Sequence, residues 1–445
     1  MATLSIPSKT SLMNPLTTIA FIALMAVCNS MSVNAADWPH WRGPNFDGSS
    51  LEEKLPDDFS KTNNVKWAAS LPGPSAATPI IWGDLIFLSS TDLKTKTLRA
   101  LALDRKSGSV LWNNEVAPGF SQDERSNLAS PSPTTDGERA YFMYSTGDLV
   151  AFDFSGKQVW AHNIQKDYGQ FVYQWTYGAS PTLFDGKLFI QVLQRDVPVH
   201  GRGEKTAPNE SYLLALDPKT GKELWRYIRA TDAKSESRES YSTTIPHNGQ
   251  LLIAGGDCLT AHDPRDGKEL WRWCSFNTQN KTHMRLVPSP VVGSNIALVC
   301  APQRYPLFAV NLSGKVDNSS LAWQSENREL FSDTPTPLFY RGRFYVLNGD
   351  RRTLTRIEPV TGKIDWTGDL SGMAKLDGSP TGADGKIYFQ NFRGDVFIVD
   401  ADEKFNLRHV IPMGDTDDDT LRSTIAVSQG NLFIRTGNKL YCVGK

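Results

Sequence analysis

Five aromatic side chains crowd the stretch DYGQFVYQWTYG at residues 167–178: Tyr168, Phe171, Tyr173, Trp175 and Tyr177. Rings this dense in one loop can stack on a sugar face or grip an extended peptide; they can equally cover an opening in the fold. Arginines recur in the long inter-element segments, among them Arg125, Arg195, Arg202, Arg238, Arg285, Arg304, Arg351 and Arg422. A guanidinium presents five donors in a planar fork, so a collar of them would draw an anion, whereas any one of them alone is an ordinary solvated loop residue.

Residues able to run a reaction are not arranged to do so. The seven histidines, His40, His162, His200, His247, His262, His283 and His409, show no metal-ligand spacing and no His-Glu-x-x-His run. The densest acidic run, DTDDD at 415–419, lacks the glycine and distal glutamate of a calcium loop and reads as solvated charge. No Gly-x-Ser-x-Gly elbow or phosphate loop occurs. The expectation is a protein with no catalytic residues, no metal and no cofactor of its own.

The chain of 445 residues carries a net charge of −1, with no basic run to attract a polyanion, so nucleic acid is excluded as a natural partner. Residues 1–35 read as an export leader: Lys9 is the only charge, Leu16 to Val27 is apolar, and Val33-Asn34-Ala35 suits cleavage near Ala35/Ala36. Twelve apolar residues are too few to span about 30 Å of hydrocarbon, and no longer apolar run exists, so no transmembrane segment is expected. Cys28 raises a lipoprotein reading, but the residues before it, Met-Ala-Val, suit that processing badly. Four cysteines remain beyond the leader. Cys258 and Cys274 flank one hairpin and either pair in an oxidising compartment or serve as two small apolar residues.

The elements that must position these loops are announced by repetition. LLALDPKTGKELW at 213–225 returns as LALDRKSGSVLW (101–112), VAFDFSGKQVW (150–160), LTAHDPRDGKELW (259–271) and LTRIEPVTGKIDW (354–366). A second phrase, Ser/Thr usually followed by Pro and then a turn and an apolar strand, starts at residues 78, 132, 180, 243, 289, 336, 379 and 424, intervals of 43 to 63 residues. Each period therefore holds four short strands. The Asp accepts hydrogen bonds from amides of its own turn, and the Gly supplies the positive φ that closes the hairpin. The tryptophan lets each sheet bury a face against the next, worth up to about 4–6 kcal/mol per fully buried ring. The periodic copies are Trp112, Trp160, Trp225, Trp271, Trp323 and Trp366.

The eighth period ends after its third strand, at NKLYCVGK, whereas NNVKWAASLPG at 63–73 supplies an unmatched fourth strand with Trp67. The N-terminal strand is expected to complete the last sheet and close the ring. The domain plan is a leader at 1–35, an extension at 36–62 and an all-β, eight-bladed propeller of four-stranded antiparallel blades at 63–445, expected to be monomeric.

With its Ala-x-Asp-x-x-Thr-Gly-x-x-x-Trp repeat, the chain resembles the PQQ-like propeller family, which contains quinoprotein alcohol dehydrogenases and the BamB lipoprotein of outer-membrane barrel assembly. DWPHWRGPNFDG at 37–48 is similar to the opening segment of bacterial members, and Trp38 and Trp41 in it are read as packing on the ring rather than contacting ligand. In the dehydrogenases of the family, PQQ lies between a tryptophan and a disulfide of adjacent cysteines, beside Ca²⁺. This sequence has no Cys-Cys pair, so the resemblance implies the fold without the cofactor. Long segments at 113–129, 161–178, 193–212, 229–241, 274–287 and 411–422 all map to one rim, where loops held on a rigid scaffold carry function. The expected function is an exported, periplasmic or secreted binding protein, BamB-like in architecture, holding a protein or polysaccharide on this rim. The alternative is a PQQ- and Ca²⁺-dependent dehydrogenase with a degenerate site.

Overall fold

A computed structural model describes residues 37–121, 123–206, 208–301, 305–326 and 330–445. The leader, with Cys28, and Arg304 lie outside them.

The acidic residue of the repeat shapes each blade's outer turn. Asp217 accepts from the backbone N–H groups of Lys219 (2.8 Å) and Thr220 (3.0 Å), and Asp104 does the same for Lys106 and Ser107. Glu358 plays this part for Val360 and Thr361. Inner turns are shorter still. Asp185-Gly186, Asn248-Gly249, Arg341-Gly342 and Asp384-Gly385 place both residues at positive φ, the two-residue geometry whose twist matches that of the flanking strands. Such turns fold each period into a four-stranded antiparallel sheet. In the third blade these strands are Thr182–Phe184, Lys187–Val192, Tyr212–Leu216 and Glu223–Ile228. Eight such sheets are present among the described residues.

The last sheet joins the chain's two ends. Its strands Ala426–Ser428, Asn431–Arg435 and Lys439–Gly444 are completed by Val65–Ser70, with Trp67 opposite Cys442 and Ala68 opposite Tyr441. No sheet edge is left open at the seam, and the ring is sealed.

Tryptophan and glycine of the repeat turn out to be partners across blades. A Cβ built on Gly221 would lie 2.8 Å from Trp160 of the preceding blade; the same clash arises for Gly156 with Trp112 (2.6 Å), Gly267 with Trp225 (2.5 Å) and Gly362 with Trp323 (2.6 Å). Each indole N–H also donates to a carbonyl of that next turn: Trp112 to Phe154, Trp160 to Pro218 (2.8 Å), Trp225 to Pro264, Trp323 to Pro359 and Trp366 to Asp402. Trp67 treats Gly108 and Arg105 of the first blade identically, so the seam uses the same joint as every other interface. Trp271 departs from the pattern: its N–H reaches Gln250 within its own blade, and the fully buried Trp273 packs on Phe308 of the next (5.6 Å). Only Trp160 is buried outright, at 8% exposed; the other six are half-buried, so the full-burial energy is a ceiling most copies fall below.

The 37–62 extension crosses the ring on the side of the short turns. Trp38 pairs by backbone with Ile81 in the first blade, His40 meets Thr134 in the second, and Ser49 pairs with Gly382 in the seventh. Arg42, fully buried, spreads its guanidinium over the carbonyls of Pro337 and Pro380, both at 2.8 Å. Cys258 and Cys274 form a disulfide that ties the third and fourth strands of blade four together; Cys300 and Cys442 are buried thiols.

Candidate functional site

The residue that opens each Ser/Thr-Pro phrase does more than start a strand. The backbone N–H of Thr78 donates to the hydroxyl of Ser132 (2.9 Å), Ser132 to Ser180 (3.0 Å), Ser180 to Thr243 (3.0 Å), Thr243 to Ser289 (2.8 Å), Ser289 to Thr336 (3.0 Å) and Thr336 to Ser379 (3.0 Å). Thr424 completes a circle of eight hydroxyls around the central channel. The blades thus hold hands at the axis through six links of one kind, and the same side chains line the lumen.

That lumen is a funnel open to solvent with a cavity of about 170 Å³, small beside the usual drug-sized pocket, so it takes in part of a ligand rather than enclosing one. Trp41 of the N-terminal extension belongs to its lining, so the extension forms a floor and the loop-bearing rim forms the mouth. Trp38 is packed out of sight at 0% exposed, whereas Trp41 is half-buried with an indole N–H that finds no acceptor in the protein. Packing accounts for Trp38; Trp41 also has a face in the cavity.

Three guanidinium groups enter the wall. Arg125 lies over the Trp175 ring at 5.2 Å, is exposed and has no carboxylate partner. Arg285 is buried and meets Asp333 (3.3 Å) and Glu236 (3.8 Å). Arg422 sits on Phe392 (4.7 Å) and beside Asp377 (3.4 Å). Asp377 is the one carboxylate in the lining, and Lys375 claims it too, at 3.4 Å. Burial raises its pKa, opposed by Lys375 and Arg422.

The aromatic loop is mostly core. Phe171, Tyr173 and Tyr177 are 1–3% exposed and pack among residues of blades two and three, Phe171 stacked on Tyr177 at 4.7 Å. Tyr168 turns outward to Glu223 (2.7 Å). Of the five rings, Trp175 alone lines the funnel. Of the two readings of this loop, stacking platform or cover, the burial of Phe171, Tyr173 and Tyr177 favours the cover, although with Trp175 and Arg202 they also border a second, open cavity. The arginine collar is likewise thinned. Arg125 and Arg285 line the funnel, joined by Arg422, whereas Arg195 is spent on Glu239 (2.5 Å), Arg202 on the Tyr173 carbonyl (2.7 Å), and Arg238 is half-buried away from the lining.

Glu239 is a positioning residue that sequence alone does not reveal. Fully buried, it accepts from Tyr241 (2.7 Å) and from the Gln174 N–H (3.0 Å), and the Tyr241 hydroxyl in turn accepts from the Trp175 N–H (3.0 Å). Burial lifts its pKa, with Tyr241, Gln174 and Arg195 pulling it back. One carboxylate thereby sets two lining residues, Tyr241 and Trp175. Only the charge of Glu239 in a run of polar residues was visible beforehand.

A family model described as outer membrane protein assembly factor BamB matches residues 59–171, 179–316 and 315–445. The chain belongs to that family. Among solved structures, a quinohemoprotein alcohol dehydrogenase from Comamonas testosteroni superposes with a TM-score of 0.63 at 13% identity, covering 92% of this chain and 81% of its own. BamB from Moraxella catarrhalis gives 0.57 at 12% identity over 85% of this chain and 99% of its own. At such identities the likeness is one of fold. Curated relatives include polyvinylalcohol dehydrogenases of a Pseudomonas sp., 29% identical over 36% of this chain, and of Sphingopyxis sp. (strain 113P3), 28% identical over 43%. These matches span 24% and 28% of the relatives' own lengths. Among the described residues no helix is long and apolar enough to cross a membrane.

Proposed function

We propose that this chain is an exported, non-catalytic binding protein that takes a segment of another protein or of a polymer into the loop-bearing mouth of its funnel. The observation that carries this reading is the funnel itself, floored by the N-terminal extension and walled by hydroxyls, guanidinium groups and two indoles. Among the described residues no histidine or cysteine lines it, and six of its eight ring hydroxyls are held as acceptors of inter-blade bonds rather than paired with a base. Membership of a family described by an assembly factor favours a macromolecular partner.

One observation favours a second reading, a quinone-dependent dehydrogenase: the partial matches to polyvinylalcohol dehydrogenases. The residues present do not fit PQQ with Ca²⁺. The disulfide joins cysteines 16 positions apart and lies outside the lining, and the one lining carboxylate is taken by Lys375 and Arg422, leaving the cation without a donor set.

The test places a photo-crosslinking residue at Phe120 or Val197, exposed on the rim loops, and as control at Leu224 or Leu270 on the outer strands. Adducts of one discrete mass from the native envelope at rim positions alone support binding. Equal labelling at both sets refutes it, as does dye reduction by purified protein supplied with PQQ and Ca²⁺.

A further inference from the structure

The geometry points to the acidic end of a saccharide chain, a terminal uronate, as what the funnel holds. This rests on the binding reading above and names its ligand. Six of the ring hydroxyls accept the preceding blade's N–H, which leaves each a proton and a second lone pair, and all eight line the lumen. The Arg125 guanidinium lies over the Trp175 ring and has no carboxylate partner among the described residues. Against the guanidinium groups stands one lining carboxylate among the described residues, Asp377, already shared by two cations.

A wall of hydroxyls, which both donate and accept, and of guanidinium groups calls for a ligand dense in hydroxyls and bearing negative charge. Sugar hydroxyls meet the first demand because they rotate to donate or accept. A peptide backbone carries one N–H and one C=O per residue and no flat apolar face for the two indoles, so it meets these demands less well. A carboxylate meets the second at Arg125. Trp41 from the floor and Trp175 from the wall give flat apolar surfaces for pyranose rings. A floor stops a chain from threading through, so an end enters rather than a middle.

Calorimetry on the full chain with α-1,4-hexagalacturonate as probe tests this. The acid should bind about tenfold or more tighter than its methyl ester, the difference one charge-assisted contact makes. Arg125→Gln should remove most of that difference without moving the melting temperature, since Arg125 is exposed and unpaired, and Trp41→Phe should weaken binding several-fold. Equal affinity for acid and ester overturns the inference, as does tighter binding of hexaglutamate. Rim adducts that still form in Arg125→Gln, with no saccharide binding, sink the uronate and leave the binding reading standing; loss of both sinks both.

Discussion

Gly221 has two reasons to be glycine, and a double-mutant cycle with Trp160 separates them. Its φ of +72° costs an alanine about 1–2 kcal/mol in backbone strain alone. An alanine Cβ would also lie 2.8 Å from the Trp160 ring and from His162 Nε2, adding about 1–3 kcal/mol as the indole is pushed off the Pro218 carbonyl. Gly221→Ala should therefore destabilise by about 2–5 kcal/mol in the parent. Trp160→Ala, removing a ring 8% exposed, should cost about 3–5 kcal/mol. With the indole gone, the methyl still meets His162 Nε2, but that imidazole can turn into the vacated space, so Gly221→Ala should cost little more than its strain. Equilibrium urea unfolding of the four proteins should give a coupling of about 1–3 kcal/mol, with the double variant more stable than the sum of singles. Additivity within about 0.5 kcal/mol would refute the cross-blade partnership.

Arg42→Lys keeps the charge but cannot span the carbonyls of Pro337 and Pro380, so residues 37–50 should become cleavable in limited proteolysis while the ring stays intact; unchanged cleavage would show that the fork is dispensable. Replacing Cys258 and Cys274 together by serine should cost about 3 kcal/mol, because the disulfide closes a 16-residue separation, read as a lower urea midpoint that reductant no longer changes. Asp257, pushed up to about 6 by burial, binds its proton more tightly folded than unfolded, so the stability that proton confers is complete below about pH 4 and is lost as pH rises through 6. Asp257→Asn should then exceed the parent by about 1 kcal/mol at pH 8, after discounting for solvent screening, and match it near pH 3.5 in thermal melts.

The ring was legible because its chemistry is local and repeated. Asp217, Gly221 and Trp225 announce turn, corner and wedge within one short phrase, and the orphan strand around Trp67 declared the seam. The joint itself was not legible: Gly221 answers to Trp160, a blade away, and nothing in the spacing of either residue says which indole will cover which turn. The aromatic loop stayed open between two readings for a related reason. Tyr173 and Tyr177 look like a binding surface when counted along the chain, but their neighbours Tyr212 and Tyr241 come from other periods and bury them. Cys258 and Cys274 were left open between pairing and packing, since hairpin proximity permits both; the structure pairs them.

The hydroxyl circle shows how a structural repeat becomes a functional wall without any residue being added for the purpose. A blade needs its innermost strand tied to the next blade, and a Ser or Thr hydroxyl accepting a backbone N–H does this at the narrowest radius, where larger side chains would collide. Accepting with oxygen leaves a proton and a lone pair over; six of the eight positions around the axis do this, and all eight hydroxyls line the lumen. Stability thereby fixes the character of the lumen as hydroxyl-lined, and the loops contribute the asymmetric part: Arg125, Trp175 and Tyr241 on one arc, the last two set by Glu239, with Arg285 and Arg422 partly neutralised on the rest. If that division is right, Glu239→Gln, which keeps the shape but weakens the hold on Tyr241 and Arg195, should disturb ligand affinity far more than urea stability. Equal loss of both would mean that Glu239 serves the fold alone and that the arc is not a preorganised surface.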